Sequence, residues 1–145
     1  MEVVRKTLKD LKEIEEIEKK ISEFKIAYNK EQYLSRLRDK KHYSIFFAVE
    51  DKKTVGYAVS YGLDDKFYIW TLAVLKEYRR KGTAEKLLQE SIGAGKKFRY
   101  KKAYLKTRNI YKNMMLLALK SGFKIVRVTK KADVDQNRIW MEKGI

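Results

Sequence analysis

The chain contains no cysteine and a single histidine, His42. The first absence excludes a disulfide framework, a thiolate metal site and a cysteine nucleophile. The second leaves no pair of imidazoles to hold zinc. His42 follows the basic pair Lys40-Lys41 just ahead of an apolar stretch, and it reads as an exposed linker residue rather than a ligand or base. No apolar run is long enough to cross a bilayer, and the N-terminus lacks a signal-peptide pattern. These absences predict a cytoplasmic protein with no bound metal and no membrane contact. Acidic residues are also missing between Glu90 and Asp133.

What is present suits one domain over residues 1–145, with 44% hydrophobic residues to build a core. The formal charge is +16 and unevenly spread. Residues 1–65 carry 14 Lys/Arg against 13 Asp/Glu, whereas residues 66–145 carry 21 against 6. The excess therefore belongs to the second half of the chain.

Val3 and Val4 mark a short first strand over 2–7. Thr7, with Asp10 three residues on, reads as a capping box. Leu8, Leu11, Ile14, Ile17, Ile21 and Phe24 then recur at helical spacing, with Glu13, Glu15, Glu16 and Glu18 assigned to the polar side. Asn29 caps a second helix reaching about Asp39. Tyr43 to Glu50 and Thr54 to Tyr61 read as a hairpin turning at Asp51-Lys52-Lys53. Gly62 to Asp65 turns the chain into a strand over 66–75.

That strand leads into the most informative stretch. Tyr68-Ile-Trp-Thr-Leu-Ala-Val74 is a buried-strand pattern, Arg79-Arg80-Lys81 is basic, and Gly82 opens a helix with Ala84, Leu87, Leu88 and Ile92 on one face. The first amides of a helix have no internal partner, and the helix dipole adds positive potential there. Gly82 lets an anion approach the backbone. A pyrophosphate suits such a turn. This helix runs to about Gly93 or beyond, with Gly93 and Gly95 weakening it and offering an end. A strand over 101–107, a helix over 110–121 closed by Gly122-Phe123, and strands over 123–129 and 137–142 complete the chain. The predicted order is β-α-α-β-β-β-α-β-α-β-β.

Arg79-x-x-Gly82-x-Ala84, preceded by Leu72-Ala73-Val74 and Tyr78, resembles the Arg/Gln-x-x-Gly-x-Gly/Ala signature of the GNAT family of N-acetyltransferases. The element order resembles that family's fold over about residues 2–143. The resemblance implies a mixed α/β (α+β) fold, whose sheet splays open between its fourth and fifth strands, with helices on both faces. It implies acetyl-CoA as co-substrate and direct acyl transfer to an amine, so that the missing cysteine is no obstacle. Main-chain groups of Leu72, Ala73 and Val74 would pair with the pantetheine arm, an amide near Val74 serving as oxyanion donor. Arg79, Arg80, Lys81, Gly82, Thr83 and Ala84 would hold the pyrophosphate. Asn109 would reach the arm or cap the last helix.

The resemblance assigns no catalytic residue. The tyrosine that many relatives place four residues before the Gly of Gly-Phe is Ala118 here, with Tyr111 and Tyr104 as neighbouring alternatives. Tyr68 and Trp70 share a face with Leu72 by strand alternation, and neither is an obvious base. Glu13, Glu15, Glu16 and Glu18 either border the acceptor site or form a solvated face. A water relay is a further route.

A second reading uses the acid-free stretch from Lys96 to Lys131. Lys96, Lys97, Arg99, Lys101, Lys102, Lys106, Arg108 and Lys112 alternate there with Phe98, Tyr100 and Tyr104. Such a field draws nucleic acid or an acidic partner, with aromatics available for stacking. A third reading is a CoA-binding member without turnover. A homodimer through sheet edges stays open, as does the amine acceptor, whether protein or small molecule.

Overall fold

The computed structural model describes residues 1–21 and 28–145. The first strand, β1, spans Glu2–Lys6 and runs into the cap foreseen at Thr7. The Asp10 carboxylate accepts from the Thr7 amide at 2.9 Å, and the Thr7 hydroxyl accepts from the Lys9 amide at 3.3 Å. A 3-10 turn, Leu8–Asp10, precedes helix α1, Leu11–Glu18. Leu11, Ile14 and Ile17 are buried, as is Ile21 beyond the helix; Phe24 lies outside the described residues. Helix α2, Lys30–Leu37, is capped reciprocally by Asn29 and Gln32 at 2.8 and 2.9 Å.

Strands β2 (Tyr43–Glu50), β3 (Lys53–Leu63) and β4 (Lys66–Val74) form an antiparallel meander. Asp51 and Lys52 both take positive φ, 50° and 64°, which matches the twist of a tight hairpin. Helix α3 (Thr83–Lys97), strand β5 (Lys102–Arg108), helix α4 (Lys112–Lys120) and strands β6 (Lys124–Thr129) and β7 (Arg138–Gly144) follow. The element order is the predicted one. The sheet order is β1-β2-β3-β4-β5-β7-β6. Helices α1 and α2 cover one face through Leu11, Ile14, Tyr33 and Leu37. On the other face α3 contributes Leu88 and Ile92, and α4 contributes Ala118.

The join between β4 and β5 is the sheet's parallel one, and it is short. Phe67 pairs with Ala103 and Tyr68 with Tyr104. Past that rung the strands part, so the expected splay is present. A β-bulge sits just beyond it. Val59 pairs with Thr71, but Ser60 pairs with Ile69, leaving Trp70 as the extra residue. The bulge corrects the alternation read from sequence. Trp70 packs on the α1–α2 side and Thr71 bonds there, whereas Leu72 packs on the α3 side. Tyr68 and Trp70 therefore do not share a face with Leu72.

Two other readings are corrected. Helix α3 does not stop at its glycines. A Cβ on Gly95 would lie 2.8 Å from the Phe67 ring, so this glycine serves close packing rather than termination. His42 is not an exposed linker residue. It is half-buried, stacks on Phe98 with centroids 4.6 Å apart, and meets the Tyr100 hydroxyl at 3.0 Å through Nδ1.

Candidate active site

After β4 a 3-10 turn, Lys76–Tyr78, leads to Arg79 and the start of α3. Arg80 and Gly82 both adopt positive φ, 65° and 80°. Nothing lies within 4 Å of where a Gly82 Cβ would sit. Glycine is used here for its backbone conformation and for the open approach it leaves. As N-cap it offers no side chain, so no side chain caps the first amides of α3. Arg80 and Lys81 are exposed beside them. Lys81 is held loosely, 3.9 Å from Glu50 and 5.6 Å from the Tyr78 ring. The Thr83 hydroxyl is buried with no hydrogen-bond partner among the described residues. A helix start, flanking cations and left-handed backbone are the components from which anion sites are built.

Arg79 plays a different part from its neighbours. Its Nε donates to the Val74 carbonyl at 2.8 Å, tying the turn to the end of β4. The Val74 carbonyl is thus engaged within the protein. Leu72, Ala73 and Val74 lie beyond the last β4–β5 rung, so their strand has no partner on that side among the described residues.

Behind the bulge lies a buried polar group that the sequence reading assigned to the polar side of the first helix. Glu18 is 2% exposed. Its carboxylate accepts from the Tyr33 hydroxyl and, at 2.6 Å, from the Tyr57 hydroxyl. The Thr71 hydroxyl lies 3.2 Å from the Tyr33 oxygen and donates to it, the phenol's own proton being given to Glu18, which links α1 through α2 to the bulged strand. Burial pushes the Glu18 carboxyl above the usual Glu range, against the pull of the two phenols. The same burial, reinforced by Glu18, raises Tyr33 well above an ordinary phenol. A signal for Glu18 was available: it falls seven residues after Leu11 and four after Ile14, on the apolar stripe.

The other carboxylates of α1 do face outward. Glu13 accepts from the Thr54 hydroxyl at 2.6 Å. Glu15 accepts from the Lys30 amide at 2.9 Å, and that bond lowers its pKa. Glu16 is exposed.

Aromatic rings line the mouth of the splay. Trp70 packs 4.8 Å from Tyr33 and 5.7 Å from Tyr61, and Tyr68 stacks on Tyr104 at 4.6 Å. Arg36 lies 4.6 Å from the Trp70 ring and donates to the Tyr61 hydroxyl at 2.9 Å. A cleft of about 590 Å³ opens between α2 and Trp70, bordered by Tyr28, Gln32 and Arg36.

The remaining candidates are spread out. Ala118 is wholly buried on the α3–α4 side. Asn109 does not cap α4, whose N-cap is Tyr111. Its side-chain amide donates instead to the Val134 carbonyl at 3.3 Å, in the loop before β7. Tyr104 occupies the last rung before the strands part.

A family model described as the acetyltransferase (GNAT) family matches residues 8–123. The chain belongs to the GNAT acetyltransferase family. The acetyl donor of GNAT enzymes is acetyl-CoA. Solved structures with the same fold include the ribosomal-protein-S18-alanine N-acetyltransferase of Escherichia coli, with a TM-score of 0.84 and 19% identity over 99% of this chain and 93% of that one. The PaiA N-acetyltransferase of Thermoplasma acidophilum, in complex with coenzyme A, gives 0.78 and 19% over the whole of both chains. A GNAT acetyltransferase of Elizabethkingia anophelis with acetyl-CoA bound gives 0.71 and 20%, covering 99% and 97%. At these identities the likeness is one of fold. A search of curated proteins finds no match.

Proposed function

We propose that this GNAT protein is an acetyl-CoA-dependent N-acetyltransferase in which a free amine attacks the thioester directly. The observation that carries the proposal is the placement of an uncapped helix start, opened by left-handed Gly82, beside the point where β4 loses its partner. In this reading the amides of Gly82, Thr83 and Ala84, with Arg80 and Lys81, hold the pyrophosphate. Arg79 keeps the turn in place. The edge of β4 at Leu72, Ala73 and Val74 pairs with the pantetheine arm. Bound acetyl-CoA supplies an electrophilic acetyl carbonyl. The protein's own work is to bind, to orient and to exclude water beside the aromatic mouth. The chain lacks cysteine, so no acyl-cysteine forms on the protein: the C–N bond forms as the C–S bond breaks, and CoA leaves as the thiolate, which takes up the proton lost by the amine. A cytoplasmic setting accords with that chemistry.

The polyanion reading draws less support from the packing. Phe98 is stacked on His42, Tyr100 bonds His42, and Tyr104 is stacked on Tyr68. The rings of the basic stretch are thus engaged within the protein, and nucleic acid would be held by charge alone. The test of the main reading is release of free thiol from acetyl-CoA across a panel of amines and peptides, with mass spectrometry locating the acetyl group. Amine-dependent release is expected. CoA binding with no release on any amine would favour the reading without turnover.

A further inference from the structure

The two faces of the β5–β7–β6 half of the sheet differ sharply in chemistry. Ala103, Leu105, Ile139 and Met141 are buried beneath α3 and α4. The opposite face presents Lys106 and Arg108 on β5, directly across from Trp140 and Arg138 on β7. Arg127 on β6 also pairs with Trp140. Glu142 on β7 already meets Lys66 and Lys102, and Asp64 and Asp65 lie at the near edge of the face. Among the described residues, Lys106, Arg127 and Arg138 have no carboxylate partner. Burial and the nearby Arg138, Arg36 and Arg127 charges lower the basicity of Lys106, which is the mark of cations gathered without a counter-ion.

The face begins at the mouth of the splay. Tyr104, on the last β4–β5 rung, borders a cleft of about 420 Å³ together with Arg127 and Trp140, and Asp64, Asp65 and Glu142 form its acidic rim, so the unpaired cations are those further along the strands. Same-face residues on a strand recur roughly every 7 Å. Lys106 and Arg108 are spaced that way, which matches alternate side chains of an extended peptide. A small amine would reach only one of them. The rings do not invite nucleobases. Trp140 is already covered by Arg127 at 3.9 Å and Lys106 at 4.9 Å, and Tyr104 by Tyr68.

Taking the acetyltransferase reading as its basis, we propose that this cationic face holds the acceptor, and that the acceptor is a polypeptide whose reactive N-terminal amine is followed by acidic side chains. The carboxylates lie on Lys106 and Arg108 along β5, with Arg127 and Arg138 beside them on the neighbouring strands, and the amine points into the splay. Long-range charge and partly desolvated contacts then select the sequence behind the amine rather than the amine itself.

The test uses the CoA-loaded full chain and peptides labelled at the C-terminus, identical except for Glu, Gln or Lys at positions two to four. Fluorescence anisotropy should show the Glu peptide bound about tenfold more tightly than the Gln peptide, the range two or three partly exposed ion pairs supply. The double variant Arg127→Gln/Arg138→Gln should lose that preference. Arg127→Glu/Arg138→Glu should turn it toward the Lys peptide. Calorimetry of CoA on the same proteins separates the two levels. Loss of CoA binding by the wild type would sink the enzymatic reading. Normal CoA affinity with equal binding of Glu and Gln peptides would overturn the acceptor assignment alone. Tighter binding of a single-stranded RNA than of the Glu peptide would overturn it as well.

Discussion

At the scale of single residues, Glu18 shows how a carboxylate can be built into a core. A lone buried charge is expensive, and here two phenol donors reduce that cost without abolishing it. Its pKa is raised, so across the window from the ordinary Glu value to the raised one the native state binds more protons than the unfolded chain. Stability therefore falls as pH rises through that window. Glu18→Gln cannot ionise. The stability of the wild type relative to this variant should be greatest at low pH and shrink as pH rises, measured by urea melts over about pH 4 to 8. A difference independent of pH would show that Glu18 does not titrate in the folded protein. Tyr33→Phe removes the bond to Thr71 and one donor to Glu18, and should destabilise by about 1–3 kcal/mol in the same melts.

At the scale of elements, helix α3 makes a paired prediction. Gly93 has open space where a Cβ would go, whereas a Cβ on Gly95 would lie 2.8 Å from the Phe67 ring and 3.0 Å from Ile145. Gly93→Ala should stabilise by about 0.5–1 kcal/mol through helix propensity. Gly95→Ala gains the same propensity but must displace an aromatic ring, and overpacking costs about 1–3 kcal/mol. Thermal melts should therefore move in opposite directions for two glycines of one helix. The same contrast explains what could be read beforehand. Caps at Thr7 and Asn29, the Asp51-Lys52 hairpin and the Gly82 helix start are local chemistry, and local chemistry is written in adjacent residues. The bulge at Trp70 was hidden because Tyr68 to Val74 is apolar or aromatic almost throughout, so inserting one residue leaves the pattern unchanged. The packing of His42 and the close approach at Gly95 depend on partners distant in sequence, whereas the burial of Glu18 was signalled locally by its place on the apolar stripe of α1. Asn109 was misjudged as a cap because α4 starts three residues later, after a turn held by the loop before β7.

At the scale of the whole molecule, the charge of +16 sets a field around a splayed sheet, and that field draws anions of several kinds. Nonspecific retention of a nucleic acid on filters should be weak and fall steeply between about 50 and 200 mM salt, because the basic stretch offers no free ring. Strong retention that survives high salt would require stacking that the packing of Phe98, Tyr100 and Tyr104 does not allow. CoA is also an anion, but its site depends on backbone geometry rather than on net charge. Calorimetric titration of CoA into the wild type and Gly82→Glu is therefore the most direct measurement. The variant replaces an open, left-handed glycine with a strained residue whose carboxylate fills the approach to the amides of α3. Binding should be readily measured for the wild type and reduced at least a hundredfold, on the order of 3 kcal/mol, in a variant that is still folded. Equal affinity in the two proteins would contradict the assignment of the α3 turn as the pyrophosphate site.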